Sequence, residues 1–473
     1  MRATEDTNDV ILVIMKGTIS IIGAGLAGSE AALHLADRGH DVILYEMRPR
    51  KMTEVHRSGL FAELVCSNSL KGTRSDSAAG MLKNELSVLG SALYARALDT
   101  AVPAGGALAV DREAFSSKVT QDVRSHPHIS LAIQEAVSIQ HVAKDADAVI
   151  VSSGPLTSDS LAQSLLELTS TDELAFFDAA APIVMTDSLD MTKVFRQSRY
   201  EDPSGGDYLN APLSREEYTA FIHALIDAKK VIAKEFETKE LFQACQPIEE
   251  IARKGIDAPR FGPMKPVGLT DPATGKRPYA AVQLRFEDRA EMSCNLVGFQ
   301  TNLTFDEQKR VFRMIPGLEH AEFARYGVMH RNTFIDAPKL LDGNGRLTTA
   351  AARALGTPIY IAGQLAGTEG YCEAIRSGLH CAIAVDALLS DVPCPSLPHQ
   401  TAFGALMAYA SDRDTIDYQP MHVNLGILPP LDEPIKNKRQ RYAAYAVRAS
   451  SALEGYAAQL AAHGLIGSGA TVC

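Results

Sequence analysis

The stretch "TISIIGAGLAGSEAALHLADRGHDVILYE" limits the possible folds more than any other part of the chain. Ile19, Ile21 and Ile22 make a short buried strand, and Gly23, Gly25 and Gly28 follow it as G-x-G-x-x-G. Ala31, Ala32, Leu33 and Leu35 recur at helical spacing, Gly39 stops the helix, and a second strand runs into Glu46. The first glycine permits a tight turn, the second lets backbone approach a pyrophosphate, and the third lets helix pack on strand. The helix N-terminus then faces the phosphate charge. Gly23, Ala24, Gly25, Leu26, Ala27 and Gly28 are therefore expected to hold a dinucleotide. Glu46 is expected to accept hydrogen bonds from its ribose. The bland alternative is a strand–helix turn that merely uses glycine.

A late segment chooses between FAD and NAD. "GTPIYIAGQLAGTEGYCEAIRSGLHCAIAV" reads as a strand, then Gly363 and Gln364, a glycine-rich turn, and a helix with small residues at Ala374, Ser377 and Gly378. FAD folds of the glutathione-reductase type close the flavin site with such an element, although Gln364 stands where Asp is usual. No second G-x-G-x-x-G lies between a strand and a helix, so NADH or NADPH is expected to visit transiently. The expected fold class is α/β: a glutathione-reductase-like, Rossmann-type FAD-binding domain interrupted by an α+β insertion domain. The discontinuous FAD-binding domain takes residues 17–170 and 336–473, and the insertion takes 171–335. Within the insertion, "REEYTAFIHALIDAKKVIAKEF" reads as helix, and "PYAAVQLRFE" and "SCNLVGFQTNL" read as strands. The last ~70 residues read as helical.

Composition bounds the partners. Hydrophobic residues make up 46% and charged residues 22% of 473, the balance of a globular protein. The net charge of −11 weighs against nucleic acid, yet a local basic patch on an acidic protein is the footprint that matters. Seven cysteines without CxxC pairs or metal-ligand spacing fit free thiols in a reducing cytoplasm. The apolar run "VILVIM" is too short to span a bilayer. Met15 precedes a natural first strand, so residues 1–16 read as an extension outside the core.

Several stretches together resemble the folate- and FAD-dependent tRNA uracil-5-methyltransferases of the TrmFO type. They include "IIGAGLAGSEAA", "FAELVCSNSLKG", "VPAGGALAVDR", "CQPIEEIARKG", "RFGPMKPVGL", "NLVGFQTNL" and "AGQLAGTEGY". The blocks run in order from about Thr18 to the region of Tyr445. The resemblance implies a flavin that takes a methylene from methylenetetrahydrofolate and passes it to a uridine in the tRNA T-loop, with NAD(P)H reducing the flavin. It implies that Cys245 is the nucleophile that adds to carbon 6 of uracil, and that Cys66 is a second functional cysteine at the flavin. A thiolate suits that addition, because an alkoxide is too basic and a carboxylate too weak. A lone cysteine is otherwise a small buried hydrophobe, the reading kept for Cys294, Cys372, Cys381, Cys394 and Cys473. The chain departs from the family at Gln243-Ala244, where Glu-Gly is usual, and at Ala211, where Cys is usual. A related branch of the family methylates ribosomal RNA, which keeps an rRNA uridine as an alternative target.

Other residues complete the expected site. The resemblance suggests that His330, in "HRNTF", stacks on folate, beside Arg331 and Asn332. Arg260 and Lys265 lie in a proline-stiffened loop and are expected to meet folate carboxylates or RNA phosphate. Lys436, Lys438, Arg439, Arg441 and Arg448, interleaved with Tyr442 and Tyr445, suit phosphate tracking with stacking. Arg48, Arg50, Lys51 and Arg57 are expected to add cations near the flavin mouth. Each set also reads as a solvated charged face. Three rivals stand beside the methyltransferase. A wobble-uridine-modifying flavoprotein needs a longer C-terminal helical domain, and a flavin disulfide reductase needs a paired C-x(4)-C and a nicotinamide domain. A non-catalytic FAD-bound RNA-binding protein is separated only by assay. The oligomeric state is not legible.

Overall fold

Alternation in the first strand sets the architecture. In the computed structural model, Ile19 and Ile21 of the strand Thr18–Ile22 enter one apolar cluster and Ile22 enters another, so both faces of the sheet are covered. That is the pattern of a parallel sheet sandwiched between helices. Five parallel strands run in the order Ile359–Ile361, Ala148–Val151, Thr18–Ile22, Asp41–Tyr45, Ile129–Ala132. The strand at 359–361, more than 200 residues beyond its neighbour at 148–151, completes this sheet. The structure describes residues 16–53, 55–169, 174–200, 206–231, 246–415 and 418–467, with side chains at 174–179 and 329–331 excepted.

The helix Leu26–Asp37 lies against the long helix Tyr371–Leu389. The two backbones approach so closely that a Cβ on Gly378 would stand 2.1 Å from the Ala27 carbonyl oxygen. Gly39, at φ +86°, turns the chain out of the first helix.

A second, six-stranded antiparallel sheet is drawn from 183–325, in the order Phe195–Arg196, Tyr208–Leu213, Ala280–Phe286, Ser293–Leu296, Ile183–Met185, Phe323–Arg325. Its core joins Leu209, Val282 and Leu284 to Phe221, Phe299 and Phe312. The helix Arg215–Asp227 starts at a capping box, with the Ser214 side chain accepting from Glu217 N–H at 3.2 Å and Glu217 returning the bond at 2.8 Å.

Some sequence expectations shift. The helix expected from 215 stops at Asp227, and Lys230 already bridges to Leu303. The strand expected over 293–303 is regular only at Ser293–Leu296, because Gly298 takes φ +79°. The expected C-terminal helical region holds two helices, Ala402–Ser411 and Lys438–Ala462, separated by non-helical chain. No helix among the described residues is long and apolar enough to cross a membrane.

Candidate active site

An open cleft with about 1040 Å³ of empty space lies at the carboxyl ends of the parallel strands. That is where open α/β sheets place ligands. Its walls include Gly23, Gly25, Leu26 and Ala27, Glu46, Ser152–Ser153 and Gly363–Gln364. The three glycines have separate jobs. A Cβ on Gly28 would stand 1.8 Å from the Gly23 carbonyl oxygen, so this position sets strand–helix packing. Gly23 needs φ +103°. Gly25 has nothing within 4 Å of a Cβ, which leaves open space where the helix N-terminus begins. An open, side-chain-free approach to free helical N–H groups fits a pyrophosphate.

Glu46 is buried just beyond the second strand. Its carboxylate accepts from Ala24 N–H at 3.1 Å and from Arg48 Nε and a terminal nitrogen at 3.0 Å each. Burial pushes the carboxyl up, but the Arg48 hydrogen bonds and charge outweigh it and hold it below the usual range. Arg48 is therefore a buried strut and not a surface cation, which corrects the expected patch at the flavin mouth. Lys51 likewise spends its charge on Glu135 at 2.8 Å. Arg50 and Arg57 stay exposed.

Gly363 adopts φ +75°, and its N–H donates to Ser377 Oγ at 2.9 Å. This turn seats the late strand against Ala27, 3.1 Å from where a Cβ would sit. Gln364 faces the cleft and donates to both oxygens of Glu369 at 2.5 and 2.6 Å.

Cys66 sits half-buried in a loop whose Val65 lines the cleft. The Tyr371 hydroxyl accepts from Cys66 N–H at 2.9 Å and Ser67 N–H at 3.1 Å. Burial, and then charge on Cys66, push that phenol well above its ordinary value, so it stays protonated. Guanidinium groups hold the rest of the loop. Arg112 donates to Leu64 O at 2.5 Å and ion-pairs with Glu287. Arg325 donates to Val65 O at 2.5 Å, and Arg285 to Asn68 Oδ1 at 2.8 Å. Each of the three interacts electrostatically with the Cys66 side chain. Sequence reading missed Tyr371, Arg112 and Arg285, and noted Arg325 only as a basic residue beside the His330 block. Only "AGTEGY" pointed at the tyrosine, and nothing local linked residues 112, 285 and 325.

Cys245 lies outside the described residues, as do Gln243, Ala244, Cys473 and residues 1–15. The chain resumes at Gln246, and Ile248 N–H donates to Gln300 O at 2.8 Å. Glu249, fully buried, accepts from Asn302 N–H at 2.7 Å and Thr301 Oγ1 at 3.0 Å. Burial pushes its carboxyl up to about 7. Cys294 and Cys372 are buried, and burial pushes their thiols up to about 12 and about 11. Cys381 is raised further, and half-buried Cys394 is raised too, again by burial first.

His330 and Arg331 fall on the strand Met329–Phe334, paired opposite Asp178 and Phe177; their side chains lie outside the description. Asn332 is fully buried, and among the described residues neither its amide nitrogen nor its oxygen has a partner. The next residue, Thr333, donates its N–H to Pro155 O at 2.9 Å, and Pro155 lines the cleft. Arg260 stacks 4.0 Å over the Tyr279 ring, and Lys265 is exposed. Lys436, Lys438 and Arg439 are exposed near the start of the last helix. Arg441 and Arg448 are half-buried and donate to the carbonyls of Ile435 and of Pro429 and Pro430, so the expected basic stripe is shorter than five cations.

Comparison with known proteins agrees with this geometry. The family model described as Glucose inhibited division protein A matches residues 18–392. A protein of Symbiobacterium thermophilum named methylenetetrahydrofolate--tRNA-(uracil-5-)-methyltransferase TrmFO is 49% identical over 93% of this chain and 97% of its own length. A Geobacter sulfurreducens protein of the same name is 51% identical over 90% of this chain and 96% of its own. The Aquifex aeolicus GidA crystal structure superposes with a TM-score of 0.67 at 14% identity, over 97% of this chain and 75% of that one, which establishes a shared fold. The parallel sheet with its glycine-lined cleft and the end-to-end sequence likeness agree: this chain belongs to the TrmFO family of methylenetetrahydrofolate--tRNA-(uracil-5-)-methyltransferases, within the broader GidA family.

Proposed function

We propose that this protein methylates carbon 5 of a uridine in the tRNA T-loop, using FAD and methylenetetrahydrofolate, with NADH or NADPH as reductant. The observation that carries the reading is the loop of Cys66 at the wall of the glycine-lined cleft, in a chain whose relatives bear the methyltransferase name. When bound, the flavin supplies the one-carbon carrier and the reducing equivalents. The chain supplies the rest. Gly23–Gly28 and Glu46 hold the dinucleotide, and Gly363 and Gln364 close its far side. We assign the residues 17–170 and 336–473 to the flavin domain and 171–335 to an insertion that carries the nucleophile.

Cys245 adds as thiolate to carbon 6 of uracil, which makes carbon 5 nucleophilic; after substitution the carbon 5 proton is lost and the Cys245 thiolate is eliminated from carbon 6. Glu249, four residues on, ties this block to Thr301 and Asn302 and so positions it. Cys66, among three guanidiniums, works at the flavin side. We assign the strand carrying His330, Arg331 and Asn332 to the folate ring. Lys438 and Arg439 occupy the first helical turn, where cations oppose the helix dipole, so an RNA contact explains them better than helix stability does.

RNA carrying 5-fluorouridine tests the scheme, because fluorine cannot leave as the proton does. Wild type should form a covalent complex on a denaturing gel. Cys245→Ala should keep FAD and tRNA binding but form none. A complex that persists in Cys245→Ala and vanishes in Cys66→Ala would reverse the two assignments. Mapping the methylated base separates tRNA from rRNA.

A further inference from the structure

The two most exposed large aromatic side chains among the described residues are Phe261, 77% exposed, and Tyr200, 74% exposed. They stand at opposite ends of one loop, 262–268, on the antiparallel sheet. Tyr200 N–H donates to Gly268 O at 3.0 Å, and its ring lies 3.0 Å from where a Gly268 Cβ would sit. Phe261 directly precedes Gly262, and exposed Lys265 lies in the loop between Phe261 and Gly268.

The loop is a rigid platform. Met264 is fully buried, with its N–H bonded to Pro259 O at 2.8 Å and its carbonyl accepting from Ala281 N–H at 3.1 Å. Pro263 packs on Gly298, 2.8 Å from where a Cβ would be. Arg260 is stacked on Tyr279 and donates to its carbonyl at 2.8 Å, which holds the chain so that Phe261 points out. Arg260 lies 5.9 Å from the Phe261 ring centre and Gly268 backs the Tyr200 ring, yet most of each ring stays exposed; an isolated exposed aromatic would need no explanation. Two flanking one braced loop that itself carries an exposed cation form an arrangement.

The charge here runs against the rest of the molecule. Residues 253–277 carry six Lys or Arg and two Asp, a net of +4 in a chain of net −11. One of those acids, Asp271, is buried. The patch also reaches the expected nucleophile's neighbour, because Lys254 Nζ donates to Gln246 Oε1 at 2.6 Å. Exposed rings interleaved with cations are what unpaired nucleic acid uses, since bases stack on the rings while phosphates track the charge.

We infer that the 253–277 face, with Tyr200, is a stacking surface for unpaired RNA nucleotides flanking the target base, and that Phe261 and Tyr200 each take one base. The inference rests on the RNA-methylating reading above and adds where and how the strand is held beside the reactive block.

The chain contains no Trp, so Phe261→Trp gives a single reporter. In the FAD-loaded full-length protein, a T-arm hairpin transcript should quench its emission, whereas a blunt duplex of the same stem should not. Phe261→Ala and Tyr200→Ala should each weaken hairpin binding roughly 5- to 150-fold, as base stacking does, without changing the salt slope. Phe261→Trp should restore tight binding, and flavin content reports that each variant is folded. Lys265→Ala should instead lower the slope. If the alanine variants bind the hairpin within about two-fold of wild type, or the reporter stays silent at saturating hairpin, the stacking surface is wrong while the methyltransferase reading stands. Wild type that binds neither RNA overturns both.

Discussion

The floor of the cleft and the loop of Cys66 face each other but are held by opposite means. At the floor, backbone touches backbone: Gly28 sits where a single added carbon would be 1.8 Å from a carbonyl oxygen. At the loop, long charged side chains reach in from distant segments, with Arg112 from one side and Arg285 and Arg325 from the antiparallel sheet. The floor is fixed by local sequence and tolerates no added atom. The loop depends on arginines more than 200 residues away and on an ion pair with Glu287, so it is set only once both sheets have formed.

The largest expected effect breaks the floor. Gly28→Ala should destabilise the protein by on the order of 4 kcal/mol or more, because neither the Gly23 carbonyl nor the Ser152 hydroxyl can withdraw far. Gly25→Ala, three residues earlier, should lose FAD but leave the thermal midpoint of the apoprotein nearly unchanged, since its Cβ would enter only open cleft. Calorimetry with flavin absorbance separates the two. If both variants melt alike and both keep flavin, the division of labour among the glycines is wrong.

Next comes the loop. Arg112→Met strips the buried Glu287 of its partner and should cost about 3 kcal/mol in chemical denaturation. FAD should remain bound while methylation falls. A loss of flavin equal to the loss of activity would mean that Arg112 serves the floor as well.

A smaller effect is pH-dependent and sits under the expected nucleophile. Glu249 has its folded pKa raised from 4.5 to about 7, so the folded state binds more protons between those values. Its contribution is full below about pH 4.5 and is lost as pH rises through about 7. Glu249→Gln should remove that slope, worth up to about 3 kcal/mol across the window. Glu46 has the opposite sign: its depressed carboxyl stabilises above 4.5 and that stability goes as pH falls. A Glu249→Gln denaturation profile parallel to wild type from pH 4.5 to 7 would refute the assignment.

The smallest change in stability should come from the last helix. Lys438→Ala with Arg439→Ala should shift stability by less than about 0.5 kcal/mol, since both are exposed and unfavourable to the dipole. The slope of log affinity for tRNA against log salt should fall by about 1.5. An unchanged slope would remove the last helix from the RNA site and leave the phosphate contacts to the 253–277 face.

The sequence by itself determined the parallel sheet, the glycine turn and the family. Each rests on short-range rules: alternation in a strand, helical spacing, and glycine wherever a Cβ would collide. The identity of the cleft's second wall was also readable, because Gly363 repeats the same strand-to-turn chemistry. Only tertiary structure decided which charges are free. Arg48 and Lys51 read the same as Lys438 and Arg439 on the page, yet Arg48 is buried on Glu46 and Lys51 is paired with Glu135. Likewise Tyr371, Arg112, Arg285 and Arg325 converge on Cys66 from four separate segments. Even where the partner is near in sequence, as Glu46 is for Arg48, burial depends on what packs over the pair, and Lys51 meets Glu135 only because segments 84 residues apart come together.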